Sequence, residues 1–467
     1  MRKFTVSLVL LFVCQAALAD NWGHWRGPTG NGAATDASPP TEWSEKKNIK
    51  WKVAIPGKGS GSPVIWGDKV FVVTAVSTAA GSNSRQAGRE PSRRPGGGRD
   101  AGRRPEGGGD SQRRPGSRGR GRSGRSRGGS RGGALTTLDF KILCFDRKTG
   151  KALWQQSATK AKPHEGTHST NGFASGSPCT DGEHVYAHFG SRGLYCYTLS
   201  GKLKWKRTDF GKMTMRAGFG EGSSPTLAGD KLIVPWDHEE QSFVYALDKA
   251  SGKTLWKTTR DEPSCWATPL IVENGKKKQV VMNGQTCARG YDLQTGKELW
   301  RCGGQTQRPV ASPVAGAGLV FVGSGFRGSF LGAFRLDGKG DIEDSKSVAW
   351  VIDRDTPDIA SPLYSAGRVY FHKGKSGMLS CVDAATGKPH YTVQRISGIN
   401  STYASPIAAG GHVYITGRSG TTVVIKDAGK LEVVSTNSVG EGVDATPAPV
   451  GKELFIRGEK HLFCISK

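Results

Sequence analysis

The sequence predicts an all-β fold, an eight-bladed β-propeller built from four-stranded antiparallel blades. Three observations carry this prediction. A strand–turn–strand unit that ends in tryptophan recurs at 144–154, 244–256 and 291–300. A Ser-Pro or Thr-Pro pair opens eight units, and from Pro178 onward these pairs lie about 41 to 49 residues apart, the period of a four-stranded blade. The last unit has only three strands, and an orphan strand at the other end of the chain can complete it.

Each blade follows one pattern from its opening proline. A short apolar strand, a tight turn and a second apolar strand come first, as in 63–73. The third and fourth strands flank a Gly-Lys turn, as in 244–256. We expect Trp256, on such a fourth strand, to dock over the turn of a neighbouring blade.

The chain begins with the parts of a secretory signal peptide, which we place at residues 1–19. Arg2 and Lys3 precede an apolar run at 6–13, and small residues occupy 17–19. The run is too short to span a bilayer, and no later segment approaches about 20 continuous apolar residues. We therefore expect an exported protein, periplasmic or secreted, with no membrane span.

Two regions frame the propeller, which we place at residues 49–467. Residues 20–48 mix aromatic and turn residues without periodicity, so they should form an irregular N-terminal cap. Residues 49–55 alternate as a strand but have no partner strand nearby in the sequence. This strand should complete the eighth blade, which closes the ring without exposed sheet edges. We expect a monomer.

The first blade carries an insertion at 79–134, which is rich in Gly, Arg, Ser and Pro. It contains fifteen arginines and four acidic residues, so it supplies 11 of the formal net charge of +26. With so few apolar residues it should be disordered. An anionic partner is one interpretation of its charge, and a tolerated linker with no specific partner is the other.

Cysteines occur in two arrangements. Cys144, Cys196, Cys381 and Cys464 share one repeat position and should be small buried core residues, not metal ligands. A turn centred between Gln294 and Thr295 would place Cys287 directly opposite Cys302. These two should form a disulfide or a close thiol pair.

The loops between blades are the candidate site. In this topology they lie on one face with the loops that join second and third strands, and they surround one mouth of the central channel. Loops on a rigid scaffold are where binding residues concentrate. The candidate ligand- or partner-binding residues are His168, Asn171, Arg216, Glu221, Glu262, Trp266, Arg308, Asp355, Asp358, Asn400, Tyr403, Glu441 and Asp444. Any one of them could instead be an ordinary solvated loop residue.

Motifs for catalysis and for metal binding are not found. His164 and His168 are four apart in a loop, where the helical spacing of metal ligands does not apply. The chain lacks a Gly-rich phosphate loop that follows a strand and opens a helix, and outside the insertion at 79–134 it lacks a Gly-x-Ser-x-Gly elbow. We therefore assign neither catalytic residues nor metal ligands.

The repeat resembles that of a known superfamily. The unit Asp-x-x-Thr-Gly-Lys-x-x-Trp, repeated from Asp146, Asp248 and Asp292 and degraded from Asp383, resembles the tryptophan-docking repeat of the pyrroloquinoline-quinone (PQQ) propellers. The segment 22–32, followed by the strand from Ile49, resembles the exported PQQ-like repeat proteins of planctomycete-type bacteria.

This resemblance implies two possible functions. One branch of the superfamily is non-catalytic and includes the propeller subunit of the bacterial outer-membrane β-barrel assembly machinery. The other branch contains quinoprotein dehydrogenases with PQQ, calcium and an aspartate base, and its alcohol-oxidising members have a vicinal disulfide that this sequence lacks. We favour an exported, non-catalytic scaffold that binds a protein or another envelope partner through the inter-blade loop face.

The alternative is a PQQ-dependent alcohol or sugar dehydrogenase. Under that interpretation, Trp266 would stack on the flat cofactor. Glu262, Asn171 or Asp444 would supply oxygen ligands to the calcium ion.

Overall fold

A computed structural model describes residues 21–79 and 135–467 of the chain. The predicted signal peptide lies outside these residues, and so does the predicted Arg/Gly-rich insertion apart from Ala79. In the part described, the elements are almost entirely β-strands, with two short 3₁₀ turns at Gly190–Arg192 and Arg216–Gly218.

Eight four-stranded antiparallel blades confirm the predicted propeller. Blade 1 is Val64–Trp66, Lys69–Ser77, Leu138–Asp146 and Ala152–Ala161, and blade 2 is Cys179–Thr180, His184–His188, Leu194–Thr198 and Leu203–Arg207. Blade 3 is Thr226–Ala228, Lys231–Trp236, Ser242–Asp248 and Thr254–Arg260, and blade 4 is Leu270–Asn274, Lys277–Met282, Ala288–Asp292 and Glu298–Cys302. Blade 5 is Val314–Gly316, Leu319–Ser324, Phe330–Arg335 and Val348–Ile352, and blade 6 is Leu363–Ser365, Arg368–His372, Met378–Asp383 and Pro389–Arg395. Blade 7 is Ile407–Ala409, His412–Thr416, Thr421–Lys426 and Val433–Ser438. Blade 8 is Ala448–Val450, Glu453–Arg457 and His461–Ile465, with Ile49–Ala54 as its fourth strand.

The ring closes as the sequence predicts. Ile49–Ala54 pairs antiparallel with His461–Ile465, so the two ends of the propeller share one sheet. Two further short strands pair in parallel with blade edges. Ala33–Ala34 pairs with the inner strand of blade 7, and Gly340–Asp341 pairs with the outer strand of blade 4.

The hydrophobic core lies between adjacent blades, and burial follows from that arrangement. Second strands are covered on both faces, so Lys231–Trp236 is buried throughout, whereas outer strands such as Thr254–Arg260 alternate between exposed and partly buried residues. The four cysteines at the shared repeat position are buried free thiols, which confirms their predicted place in the core.

Tryptophans on the outer strands join five of the eight blades to the next blade. The indole Nε1–H of Trp256 donates to the carbonyl of Leu293 in the turn of blade 4 at 3.0 Å, which confirms the predicted docking. The same bond, at 2.9 to 3.0 Å, joins Trp51 to Arg147, Trp154 to Leu199, Trp205 to Lys249 and Trp350 to Ala384. Trp300 differs, because its indole donates to Gln279 within its own blade.

A β-bulge in the outer strand of blade 4 shifts the register, so the cysteines do not pair as predicted. Tyr291 faces Glu298 next to the turn, but Gly290 faces Trp300, so Leu299 is an extra residue in that strand. Beyond the bulge Cys302 therefore faces Ala288 and not Cys287. Both cysteines are free thiols, so the predicted direct pairing is wrong.

The serine or threonine before each opening proline forms a closed ring around the channel. The backbone N–H of each donates to the side-chain hydroxyl of the equivalent residue in the next blade, over 2.9 to 3.1 Å. The members, in order, are Ser62, Ser177, Ser224, Thr268, Ser312, Ser361, Ser405 and Thr446. Because these groups are buried, the ring satisfies backbone donors that would otherwise lack a partner.

Residues 21–40 cross the channel at the face opposite the inter-blade loops. Their hydrogen bonds to the propeller include those of Trp22 with Ile65, Gly23 with Thr180, and Asn31 with Ala315. The guanidinium of Arg26 donates to the carbonyls of Pro362 and Pro406, and Ser38 bonds to Gly451. These partners belong to blades 1, 2, 5, 6, 7 and 8. The segment thus links the inner strands of blades that are distant in the sequence.

Candidate functional site

The loop before blade 2 reaches across the channel mouth. Thr170, in that loop, lies 3.2 Å from the hydroxyl of Tyr403, which belongs to the loop before blade 7. The Nδ1 atom of His168 lies 2.8 Å from the Thr170 hydroxyl, and its ring meets Phe219 edge-on at 5.2 Å. The loops before blades 2, 3 and 7 are therefore joined by side-chain contacts at the mouth.

Arg308 occupies the opposite side of the mouth, in the loop before blade 5. Its guanidinium carbon lies 3.7 Å from the ring centroid of Phe326 and 6.0 Å from that of Phe219. Nη2 of the same side chain pairs with Asp358 of the loop before blade 6 at 3.1 Å. Burial raises the pKa of the Asp358 carboxyl, and the charge of Arg308 opposes that shift.

A second cation–aromatic pair completes the mouth. The guanidinium carbon of Arg418 lies 4.1 Å from the ring centroid of Tyr403. Its Nε and Nη2 atoms donate to the two carboxylate oxygens of Asp444 at 2.7 and 3.0 Å. The hydrogen bond to Asp444 raises the pKa of Arg418.

Trp266 connects the loop before blade 4 to the loop before blade 3. Its Nε1–H donates to the carbonyl of Gly220 at 2.7 Å, and its ring lies 6.5 Å from that of Phe219. Seven inter-blade loops are thus connected. We call the connected set the mouth network; it comprises His168, Thr170, Phe219, Trp266, Arg308, Phe326, Asp358, Tyr403, Arg418 and Asp444.

Three predicted site residues hold their own loops together and lie outside the mouth network. Asn171 donates to the carbonyl of Phe219 at 2.9 Å and accepts from Ser175 at 2.5 Å. Glu221 accepts from the N–H and hydroxyl of Ser191 at 2.7 and 2.5 Å, and burial raises its pKa. Glu441 accepts from the N–H groups of Lys460 and His461 at 3.0 and 2.9 Å.

Glu262 does not lie at the mouth, where the sequence analysis had placed it. Its side chain is fully buried, pairs with Arg289 and also accepts from the hydroxyl of Thr286. Arg289 pairs with Asp261 and Glu298 as well. Burial of an ionised carboxylate requires such a partner, so Glu262 is committed to the interior of blades 3 and 4.

The last three predicted residues lie near the mouth without joining its network. Arg216 donates to the side-chain oxygen of Gln285 at 3.0 Å, and Asp355 pairs with Lys373 at 2.8 Å. Asn400 is exposed on the loop before blade 7. These side chains are available to solvent at the periphery of the face.

Four members of the mouth network are not among the candidate residues predicted from the sequence: Thr170, Phe219, Phe326 and Arg418. Phe326 and Arg418 sit in loops between second and third strands, and Phe219 sits in a loop between blades. Both kinds of loop are predicted on this face. An aromatic residue or an arginine in such a loop is therefore the sequence signal that could have identified these members of the network.

The opposite face has a cavity of about 430 Å³ beside residues 21–30. Its lining includes Trp25, Trp66, Leu227 and Leu270. A space of this volume is within the range of small-molecule sites. The sequence prediction had placed the candidate site at the other face.

The donor set does not fit PQQ with calcium. Of the oxygens suggested for a calcium ion, those of Asp444 are paired with Arg418 and those of Glu262 with Arg289. The amide oxygen of Asn171 accepts from the N–H of Gly172 and the hydroxyl of Ser175. Within residues 21–79 and 135–467, no cluster of three His, Cys, Asp or Glu side chains has the arrangement of a metal site. Since calcium needs six to eight oxygen ligands, these residues would have to leave their present partners to hold it.

No helix in the part of the chain that the structure describes is long and apolar enough to cross a bilayer.

Comparison with solved structures gives the fold. The quinohemoprotein alcohol dehydrogenase from Comamonas testosteroni superposes with a TM-score of 0.56 at 10% identity, over 97% of this chain and 81% of that chain. BamB from Moraxella catarrhalis gives a TM-score of 0.48 at 13% identity, over 70% of this chain and 88% of that chain. At such identity the first likeness shows the propeller fold alone.

Two curated relatives match over a limited stretch. The outer membrane protein assembly factors BamB of Francisella salina and of Francisella tularensis subsp. tularensis (strain SCHU S4 / Schu 4) are each 28% identical to this chain, over 131 and 145 residues. These matches cover 26% of this chain and 23% and 29% of the relatives. The chain therefore matches about a quarter of the length of each relative.

The family is shown by a broader match. A model of PQQ-type repeats, described as outer membrane protein assembly factor BamB, matches residues 139–388 and 344–467. This match confirms the PQQ-like propeller that the repeat motif predicts, whereas the planctomycete type stays a prediction. Since the match covers well over half of the sequence, the chain belongs to the family of the outer membrane protein assembly factor BamB.

Proposed function

We propose that this protein is an exported, non-catalytic scaffold that binds a protein partner of the cell envelope on its inter-blade loop face. The observation that carries the proposal is the mouth network, which joins seven loops through cation–aromatic contacts and ion pairs. Partner binding favours a surface of this kind, because rigid loops lose little conformational entropy when a complex forms.

The composition of the network suits a protein interface. Arginine, tyrosine, tryptophan and phenylalanine are the residues enriched where binding energy is concentrated. Phe326 and Tyr403 are each half-buried beneath a guanidinium group, so each offers an aromatic surface beside a charge. A partner with acidic and apolar side chains would match this face.

The carboxylates at the mouth favour binding over catalysis. A general acid or base must exchange protons with a substrate, so its carboxylate has to be accessible. Asp358 and Asp444 are instead paired with Arg308 and Arg418. Relatives named as outer membrane protein assembly factors support a partner among envelope proteins.

Cross-linking in envelope extracts tests the proposal. The purified full chain should capture a discrete partner, and cross-links should map to the loops around Phe326 and Tyr403. Phe326→Ser should reduce capture at least tenfold, since removal of a central interface aromatic costs about 2 kcal/mol or more.

Phe243→Ser is the matched control. Phe243 is also half-buried under a cation, with Lys257 Nζ 3.5 Å from its ring centroid, but it packs between blades 2 and 3. Equal loss with both variants would contradict a site at the mouth. A chain without residues 79–134 separates the contribution of the basic insertion, whose anionic partner stays a prediction.

The PQQ-dependent alcohol or sugar dehydrogenase stays the alternative. The solved quinohemoprotein dehydrogenase shares the fold with this chain, and the donor set of the mouth does not favour the cofactor. The test is to add PQQ and calcium, record the absorbance spectrum, and assay dye-linked oxidation of alcohols and sugars. Cofactor binding with turnover would replace the scaffold proposal.

A further inference from the structure

Three consecutive blades expose a leucine on the outer strand. Leu153 of blade 1, Leu203 of blade 2 and Leu255 of blade 3 are 46%, 44% and 48% exposed. Each lies two or three residues after the glycine of its Gly-Lys turn. They therefore lie toward the same end of neighbouring strands.

Exposed lysines lie close to these leucines in the sequence. Lys151, Lys202 and Lys253 follow the turn glycines, and Lys204 and Lys206 lie on the outer strand of blade 2. Among residues 21–79 and 135–467, none of the five has a partner in an ion pair. The surface is therefore rich in uncompensated positive charge.

Acidic residues in the same hairpins are already engaged. Asp146 accepts from the N–H and hydroxyl of Thr149, and Asp248 accepts likewise from Ser251. Asp209 holds Arg207 in a bidentate pair at 2.6 and 2.8 Å. These carboxylates bond to turn groups and to one arginine, and among the described residues none of them forms an ion pair with the five lysines.

The three hairpins form one continuous surface. Trp154 of blade 1 donates to the carbonyl of Leu199 in the turn of blade 2, and Trp205 of blade 2 donates to that of Lys249 in blade 3. Gly201 and Gly252 lie directly beneath these two indoles. Leu153 and Leu203 thus lie next in sequence or two positions away from the tryptophans that join their blades to the following turn.

We propose that this surface docks onto an anionic lipid bilayer. We call it the lysine–leucine rim, meaning the three leucines and five lysines together. Lysines near an anionic leaflet gain electrostatic energy, and half-exposed leucines can enter the region between headgroups and acyl chains. A soluble polyanion would use the lysines alone, so the leucines favour a membrane surface.

Binding to vesicles tests the rim in the full chain. The parent protein should bind phosphatidylglycerol-containing vesicles and bind pure phosphatidylcholine vesicles much more weakly. The triple variant Lys202→Gln, Lys204→Gln, Lys206→Gln should partition about fivefold more weakly for each lysine removed, which corresponds to about 1 kcal/mol each.

A second variant separates lipid from other polyanions. Leu153→Ser, Leu203→Ser, Leu255→Ser should lose at least tenfold in vesicle binding and keep the parent affinity for heparin. Val433→Ser, Val434→Ser is the matched control, because these residues are 55% and 39% exposed on the outer strand of blade 7. This control should bind vesicles like the parent.

Two results would overturn the proposal. Vesicle binding that is equal in the parent, the lysine variant and the leucine variant would place the lipid contact elsewhere, for instance in the basic insertion, which all of them retain. Binding to heparin without binding to anionic vesicles would identify a soluble polyanion as the ligand. Unchanged circular dichroism and melting temperature in each variant ensure that only the surface has changed.

Discussion

The backbone N–H of Thr446 donates to the hydroxyl of Ser62 across 3.0 Å, although 384 residues separate them in the sequence. This bond joins blade 8 to blade 1 and completes the ring of eight hydroxyl–amide bonds. The strand Ile49–Ala54 closes the propeller at its periphery. Ring closure therefore depends on strand pairing at the outer edge and on hydrogen bonds around the channel.

Thr446→Val should destabilise the propeller by about 1–3 kcal/mol, because it leaves a buried N–H without an acceptor. The donor affected is the backbone of Ser405, which is 3.0 Å from the Thr446 hydroxyl. Thr446→Ser keeps the acceptor and should cost less than about 1 kcal/mol, the value of a buried methylene. Urea unfolding of the two variants measures the difference, and equal midpoints would deny the ring a role in stability.

Gly252→Ala should destabilise the protein much more than Gly229→Ala. Both glycines have a left-handed backbone, with φ of +73° and +65°, which costs a residue with a Cβ about 1–2 kcal/mol. Only at Gly252 would the new Cβ meet an obstacle, the Trp205 ring at 2.7 Å, whereas nothing lies within 4 Å at Gly229. The difference in unfolding free energy isolates tryptophan docking, and similar losses would mean that the indole moves aside freely.

The repeat made the architecture predictable. The opening proline recurs in all eight blades, and the Gly-Lys turn and the docking tryptophan recur in most of them. The incomplete last unit points to the strand from Ile49. Register was less predictable, because a bulge adds one residue without any mark in the sequence. Leu299 shows this, since it shifts Cys302 from Cys287 to Ala288.

The position of the candidate loops was predictable from the sequence, and the direction of their side chains was less predictable. Topology alone puts the inter-blade loops on one face, so Arg308, Tyr403 and Asp444 were found. The direction of a loop side chain depends on partners that are remote in the sequence. Glu262 turns inward because Arg289, 27 residues later, supplies its counter-charge.

Glu262→Gln should destabilise the protein by about 3 kcal/mol, because it removes a buried counter-charge from Arg289. The loss should be near the lower end of the range for buried pairs, since Asp261 and Glu298 also contact that arginine. Glu273→Gln is the control, because its pair with Lys278 is exposed and should contribute about 0–1 kcal/mol. Denaturant unfolding compares the two.

Partner capture by the folded Glu262→Gln protein should equal that of the parent. The Glu262 side chain is fully buried, so it cannot contact a partner directly. Cross-linking in envelope extract at a temperature well below the unfolding transition measures the capture. A loss of capture without unfolding would mean that Glu262 takes part in partner binding.

Stability should fall as pH drops from 7 to 5, because three buried histidines resist protonation. Burial lowers the pKa of His24 to about 3, with a further contribution from Arg26, and lowers the pKa of His188 and His372 to about 4. In the unfolded chain each takes up a proton as pH falls through about 6.5, whereas the folded chain does not. Their contribution is therefore complete above pH 6.5 and is lost toward pH 4.

His372→Leu should flatten this pH dependence. At pH 5 each histidine accounts for about 2 kcal/mol of lost stability, from 1.36 kcal/mol per pH unit over the interval below 6.5. Both ring nitrogens of His372 are buried without a hydrogen-bond partner in the part of the chain described, so leucine should be tolerated at pH 7. Urea unfolding at pH 7 and pH 5 gives the change for parent and variant. An equal change in both would mean that His372 is protonated in the folded state, where the backbone groups of Ser376 and Met378 act to raise its pKa.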